Sequence, residues 1–406
     1  MADNDQILRL PMPGPTPLEP PAEWEGLRRR CPVADVELPS GDRAKFLSRY
    51  DDVRAILSDP RFARPTAADE GAARIAPEGA GGPAADGDSS LAIPQTGEPH
   101  QRWRRRVSKY FTAKRMAQLR PAMARTAEAL IDDMVAQGQP GDLKAALGFP
   151  LPVYVICDIL GVPAEDRDRF SHWSDAFLNV TRLSGEQSAA SQAEFTAYMS
   201  AHIAATRAEP GEDLISMLIK ETGTDGAGMS DAELLTTAMG LLVAGHETTA
   251  NMIGKMTAML LADRGRWERL LEDPSLVRGA VEEALRLDAN LGFGLRRYLT
   301  EDVEVAGEVL PSGTTVVCGM PSANRDERAF DDPDDMVLTR TPNPHLTFGA
   351  GPHSCLGQAL ARTELQVVLE VMLRKLPGLR LAVPVEELPR VEGLLVGGLT
   401  AVPVRW

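Results

Sequence analysis

Cysteine is scarce in this 406-residue chain: there are four, Cys31, Cys157, Cys318 and Cys355, with no repeated spacing. That excludes a disulfide-framed secreted scaffold and suits a reducing compartment. Three of them read as small buried hydrophobes, and Cys355 stands apart. An excess of positive charge is lacking too. Against 58 Asp and Glu there are 43 Lys and Arg, a formal net charge of −15, which argues against nucleic acid or an anionic membrane as the main partner, although local basic patches remain compatible with it. No apolar run reaches the roughly eighteen residues needed to cross a bilayer. The acidic start Met1–Gln6 leads into a Pro-rich stretch from Pro11 to Pro21, with no signal-peptide core. A soluble, cytoplasmic protein with no membrane partner is expected. Although the chain exceeds the usual size of one domain, it has no composition break or linker, so one domain over residues 1–406 is expected.

What is present centres on Phe348-Gly-Ala-Gly-Pro-His-Ser-Cys-Leu-Gly357. From Leu356 to Leu373 the chain has apolar residues at helical spacing and no proline, which predicts Cys355 at a helix N-terminus. Free backbone N–H groups and the positive end of the helix dipole favour a thiolate there. Gly349, Gly351 and Gly357 let the backbone turn sharply and approach a flat, bulky partner. A zinc site needs three or four clustered ligands and only His353 is near, so haem iron is the metal most consistent with this setting.

Taken in order, the chain predicts a helix at 24–30, strands at 33–36 and 44–47, and a helix at 50–57. Residues 64–97, rich in Ala, Gly, Pro and Asp, predict a long loop of the kind that is functional or mobile. Pro99 opens a basic helix in which His100 and Arg104, four apart, share a face. Together they reach one anionic group, or they form part of a solvated basic face. Helical patterns follow over 113–136, 143–160, 164–180 and 187–208. Ser230-Asp-Ala-Glu233 is a capping box that opens a helix running to about residue 262, on the order of 45 Å long. Its middle, Ala244-Gly-His-Glu-Thr-Thr249, is polar within apolar surroundings. Gly245 weakens the helix there, and Thr248 can bond back to the Ala244 carbonyl, so the ladder can open. His246 reads as a packing or hydrogen-bonding residue and not as an iron ligand. Glu283 and Arg286, three apart, read by themselves as a surface ion pair. Residues 319–347 form a Pro-, Asp- and Asn-rich meander, and strand-like pieces begin at Leu379.

Phe348, Gly351, His353, Cys355 and Gly357 match the haem-ligand signature of the cytochrome P-450 family, the haem-thiolate monooxygenases, and the chain resembles that family over nearly its whole length. The resemblance implies a mainly α, single-domain fold with small β-sheets, and a heme b between the long central helix and the helix after Cys355. It implies Cys355 as axial iron ligand, with His100, Arg104, Arg297, Phe348, Gly349 and His353 as further cofactor-binding residues, His100, Arg104 and Arg297 on the propionates. Glu247 and Thr248 occupy the positions of the family's catalytic acid–threonine pair, which delivers protons during oxygen activation. The family's E-x-x-R is buried and pairs with an arginine ahead of the cysteine loop. Arg340 and Arg325 are both candidates, and Arg340 fits the family spacing better. One departure lies after that helix, where the family often has proline and this chain has Asn290.

The function so implied is oxidation, most simply hydroxylation, of a bulky, mostly apolar small molecule of secondary metabolism. Dioxygen is the oxidant, and electrons come from NAD(P)H through a separate ferredoxin and ferredoxin reductase, since no length is left for a flavin or iron–sulfur domain. Two rivals are a peroxide-driven haem-thiolate enzyme, which is expected to lack the acid–threonine pair, and a non-catalytic scaffold that recruits a partner enzyme and need not retain Cys355. A patch of Arg102, Arg105, Arg106, Lys109 and Arg362 is expected to steer an acidic ferredoxin. The substrate pocket is expected among residues 64–97 acting as a lid, Met239–Thr248, Asn290–Leu295 and Leu394–Gly397. There Gly292 and Gly294 would remove bulk, while Leu291, Leu295, Leu242 and Val243 would keep the wall apolar.

Overall fold

The computed structural model describes residues 7–59, 61, 62, 64, 65, 71–75, 93–178, 185–221, 228–288, 294–391 and 397–406. Two compact units divide the chain, each assembled from three separate stretches. One takes residues 1–88, 278–355 and 384–399; the other takes 89–277, 356–383 and 400–406.

In the first unit, alternation of apolar and polar residues produces a five-stranded sheet. The strands lie in the order Leu8–Arg9, Val33–Glu37, Arg43–Leu47, Thr315–Cys318, Leu295–Tyr298. Val33–Glu37 and Arg43–Leu47 pair antiparallel; the latter runs parallel to Thr315–Cys318, which pairs antiparallel with Leu295–Tyr298, setting Arg297 opposite Val316. The helix Tyr50–Ser58 buries Val53, Ile56 and Leu57, one face at i, i+3 and i+4. With Leu47, Phe62, Val316 and Leu346 these form one core. The buried Asp326 accepts the Tyr50 N–H at 2.9 Å, satisfying one of the free donors of that helix start.

Glu283 and Arg286, on the helix Val277–Leu287, are fully buried and not at the surface. Arg286 Nε donates to Glu283 Oε1 at 2.7 Å and Nη2 to Oε2 at 3.0 Å. The third partner is Arg340, whose Nε donates to Glu283 Oε1 at 3.0 Å; Arg325 instead pairs with Asp334 and the Leu287 carbonyl. Asn343 Nδ2 and the Val337 N–H also donate to Glu283. Burial pushes this carboxyl up, but Arg286 first, then the Val337 N–H and Arg340, hold it below its ordinary value.

The second unit is built around the helix Asp231–Leu261, 31 residues long, whose Ser230–Glu233 capping box is complete. It packs against Pro150–Leu160 and against Gln358–Lys375, which also lies along Ala113–Gln137. Ion pairs Arg374–Glu128, Arg120–Glu370 and Lys375–Asp132 lace the last two together. Phe170, Trp173, Phe195 and Tyr198 join Arg167–Leu178 to Gly185–Ala208 by edge-on ring contacts. A three-stranded sheet, Gly141–Asp142, Pro403–Arg405, Arg380–Leu381, closes the unit.

Several boundaries differ from expectation. The basic helix begins at Gly97, two residues before Pro99. The helix after Cys355 begins at Gln358, with Gly357 as its cap. The predicted helix over 143–160 is broken in two: Lys144–Gly148 is a π-helical turn, with the Phe149 N–H donating to the Lys144 carbonyl at 2.7 Å, and the α-helix starts at Pro150, which has no N–H to continue the ladder. Cys157 and Cys318 are buried, and burial pushes both thiols well up, Cys318 to about 12. Cys31 is a correction: it is exposed, because it follows the last turn of the helix Glu23–Arg30. Among the described residues no helix is long and apolar enough to cross a membrane.

Removing the Glu283 charge leaves the buried Arg286 guanidinium, and the partly buried Arg340 beside it, without their carboxylate. Glu283→Gln is expected to cost about 3 to 5 kcal/mol of stability, read from urea unfolding; a loss below about 1 kcal/mol would show that the triad does not anchor the meander.

Candidate haem site and proton-handling residues

The meander that carries the cysteine is tied down before it reaches the loop. Asn324 Oδ1 accepts the Leu346 N–H at 2.6 Å, and the Thr347 hydroxyl donates to the Leu285 carbonyl at 2.6 Å. The loop then turns through Gly349 and Gly351, both at φ +68. At Gly351 a Cβ would lie 2.5 Å from Ser58 Cα and 2.8 Å from the Leu57 carbonyl, so only glycine permits this approach to the helix Tyr50–Ser58. Gly357 has φ −84, and a Cβ there would meet no protein atom within 4 Å. Residues Gly351–His353 form a single 3₁₀ turn. The Cys355 N–H donates to the Phe348 carbonyl at 2.7 Å, and its thiol is exposed.

Strand Leu295–Tyr298 passes this loop, with Leu295 Cδ1 3.9 Å from where a Cβ of Gly349 would be. Arg297 on it is 1% exposed, and its Nε, buried, has no hydrogen-bond partner. Its Nη1 donates to the Arg296 carbonyl at 2.9 Å, and no carboxylate pairs with it among the described residues. Burial lowers its affinity for the proton, Cys318 offsets this, and nearby Arg64 adds to it. Arg64, which sequence reasoning did not single out, is exposed and close enough to Cys355 to feel its charge. A buried cation so placed calls for an anion. An exposed thiol for a soft iron donor, a glycine-turned loop, and a buried guanidinium without a carboxylate fit an iron porphyrin whose propionate is ionised.

The other candidates belong to the second unit. His100 is buried and stacks on Trp103 with planes 27° apart; Arg104 is half-buried. On the long helix, the Thr248 hydroxyl donates to the Ala244 carbonyl at 2.9 Å, and these two residues, one turn apart, keep exposed surface on the same face. Glu247 Oε1 accepts from Asn251 Nδ2 at 2.7 Å. A lysine that the sequence reading passed over, Lys144, has its Nζ 3.8 Å from the same oxygen. Its signal was a lone cation in the apolar stretch Leu143–Leu147. Gly245 is explained by packing as well, since a Cβ would sit 2.8 Å from Ile156 Cδ1.

Other expectations are corrected or fall outside the described residues. Leu242 is fully buried and part of the helix packing. Gly294 has φ +79, and a Cβ would stand 2.8 Å from the Cys318 carbonyl, so its glycine serves the sheet and not a pocket. Asn290, Leu291, Gly292, Phe293, Leu394 and most of 64–97 lie outside the described residues. Arg106 is buried and leaves the expected basic patch. Of its neighbours, Arg105 is paired with Glu98, Lys109 with Glu221, and Arg362 with Gln358.

The chain matches the family model described as Cytochrome P-450 over residues 168–377. It is 42% identical over 381 residues to the mycinamicin IV hydroxylase/epoxidase of Micromonospora griseorubida, 94% of each chain. It is 41% identical over 398 residues to the nocardicin C N-oxygenase of Nocardia uniformis subsp. tsuyamanensis, 98% of each. Among solved structures, the mixed-function P-450 MycG superposes with a TM-score of 0.91 at 38% identity, covering 99% of this chain and 100% of that one.

His246, beside Glu247, is fully buried, with Ser174 Oγ 2.5 Å from Nδ1 and the Phe149 carbonyl 3.2 Å from Nε2. A carbonyl only accepts, so Nε2 carries the proton and Nδ1 accepts from the serine. Burial lowers this imidazole from 6.5 to about 4, the Phe149 bond opposing. The folded state therefore binds fewer protons than the unfolded chain at acid pH. Stability should be complete above pH 6.5 and decline as pH falls from there towards 4, by roughly 3 kcal/mol from this group. In urea titrations at several pH values, His246→Gln should flatten that interval; an unaltered slope would rule out this source.

Proposed function

Because this chain belongs to the cytochrome P-450 family and is a haem-thiolate monooxygenase that uses heme b, we propose that it oxidises, most simply by hydroxylation, a bulky and mostly apolar small molecule of secondary metabolism. Electrons reach it from NAD(P)H through a separate ferredoxin and ferredoxin reductase, and residues 1–406 form one haem-thiolate domain. The observation that carries the site assignment is the Cys355 loop beside the buried, carboxylate-free Arg297. Support for the substrate class comes from the relatives named for mycinamicin and for pentalenic acid.

In this reading Cys355 is the axial ligand, with the Phe348 carbonyl holding its backbone and Gly349 and His353 shaping the loop around it. Arg297, His100 and Arg104 bind the propionates. Haem, when bound, supplies the oxidation, and a thiolate donor favours O–O cleavage. The protein's part is to orient substrate, to exclude water and to manage protons. Thr248 Oγ, on the exposed face of the long helix, is one turn from Ala244, and its hydroxyl can leave that carbonyl to donate elsewhere without breaking the backbone ladder. Glu247 holds its proton acceptor, Oε1, against Asn251. Such a pair suits the reductive route over a peroxide-driven one. For the ferredoxin, the docking cations reduce to Arg102, Arg105 and Lys109, which remain exposed.

Three measurements test this. The reduced, carbon monoxide-bound protein should have the strongly red-shifted Soret band of thiolate ligation, absent in Cys355→Ala; persistence of the band there would remove Cys355 from the iron. Thr248→Ala should keep that band while product formed per NAD(P)H falls about tenfold or more, and an undiminished ratio would refute its role. Reduction by ferredoxin should slow with rising salt and on Arg102→Glu. Indifference to both would put the docking face elsewhere.

A further inference from the structure

Lys144 opens the π-helical turn Lys144–Gly148 and is only 9% exposed. Its Nζ donates to Asn251 Oδ1 at 2.7 Å, and Asn251, 1% exposed, donates from Nδ2 to Glu247 Oε1 at 2.7 Å. An ammonium can only donate, so the amide oxygen must face Lys144 and the amide nitrogen is left for the carboxylate. The orientation of Asn251 is thus set by its neighbours on both sides. Asn251 lies one turn beyond Glu247, so this bond draws the carboxylate towards the C-terminal end of the helix. The Thr248 hydroxyl is drawn the other way, to Ala244. Gly148, at the end of the same π turn, brings the two backbones together, since a Cβ there would come within 3.3 Å of the Ala250 carbonyl.

A buried ammonium is costly without a counter-charge, and the charged groups around it limit where that comes from. Besides Glu247, those facing Lys144 among the described residues include Asp142, Lys255 and the neutral His246. Asp142 Oδ1 already accepts the backbone N–H groups of Lys144 and Val402 at 3.0 and 2.9 Å. Lys255 repels. Burial is the largest influence on the amine and lowers its hold on the proton, with Glu247 the first group to oppose it.

We propose that Lys144 is a positioning residue for Glu247: directly and through Asn251, its ammonium holds the Glu247 carboxylate away from Thr248 until a proton is to be moved. The proposal deepens, and its catalytic meaning rests on, the reading of Glu247 as a proton-handling group. A π turn in place of a regular α turn at Lys144 agrees with it, since such turns gather at functional sites.

Difference infrared spectroscopy of the full-length protein supplies the test, with Glu247→Gln identifying the bands of that one carboxyl. At neutral pH the carboxylate stretching bands assigned to Glu247 should shift in Lys144→Met, should shift in Lys144→Gln even where the methionine variant folds poorly, and should return to the parent position in Lys144→Arg. Bands unmoved in both neutral variants, with the far-ultraviolet circular dichroism of the parent retained, overturn the proposal. In parallel, the pH profile of product formed per NAD(P)H should move in Lys144→Met and return in Lys144→Arg. If the infrared bands shift while that profile stays put, Lys144 still positions the carboxyl, and it is the proton-handling role of Glu247 that falls.

Discussion

One buried carboxylate, Glu283, holds the first unit in the form the cysteine loop requires. Two arginines, an asparagine and a backbone N–H converge on it, and three of those donors, Val337, Arg340 and Asn343, lie on the meander that leads to Phe348. The meander anchors itself in the core through Phe330 and Leu346, but its Pro-, Asp- and Asn-rich backbone has no regular apolar face to set its path. That path is set also by satisfying a charge removed from water. A surface pair of the same two residue types would be worth little; fully buried, it cannot lose a partner cheaply.

That constraint explains why the loop can afford its unusual backbone. Gly349 and Gly351 sit at positive φ, and Gly351 presses on the end of the helix Tyr50–Ser58. Such a turn does not hold itself together. It is held from upstream, through Leu346 on Asn324 and Thr347 on Leu285, and from the side, through the helix it touches. The thiol is thereby presented at a defined place while the cost is borne by residues that never meet the cofactor.

The long helix of the second unit solves a related problem by pairing. His246, Glu247 and Thr248 stand consecutively and point to three separate settings: Ser174 and the Phe149 carbonyl, the Asn251–Lys144 pair, and the Ala244 carbonyl on an exposed face. A helix puts successive residues about 100° apart, which lets one polar stretch contribute to packing, to charge storage and to the accessible face. The neutral imidazole of His246 adds no positive charge beside the ammonium of Lys144.

Much of this was legible in the sequence because it is local. The capping box at Ser230–Glu233, the back-bonded Thr248 and the glycines ahead of Cys355 depend on neighbours within four or five residues, and they stand where spacing put them. The apolar period likewise gave Tyr50–Ser58 and Asp231–Leu261 to within a residue or two. What the tertiary structure decided is long-range. Choosing Arg340 over Arg325 needed the meander to fold back 57 residues onto Glu283. Arg106 looks like its exposed neighbours until its helix face is packed, and Gly294 looks like a pocket residue until the sheet places Cys318 against it. Lys144 was silent because its partners lie 103 and 107 positions away. A charge announces only itself in a sequence, and whether it is solvated, paired or stored depends on which distant groups share its low-dielectric surroundings, something only packing determines.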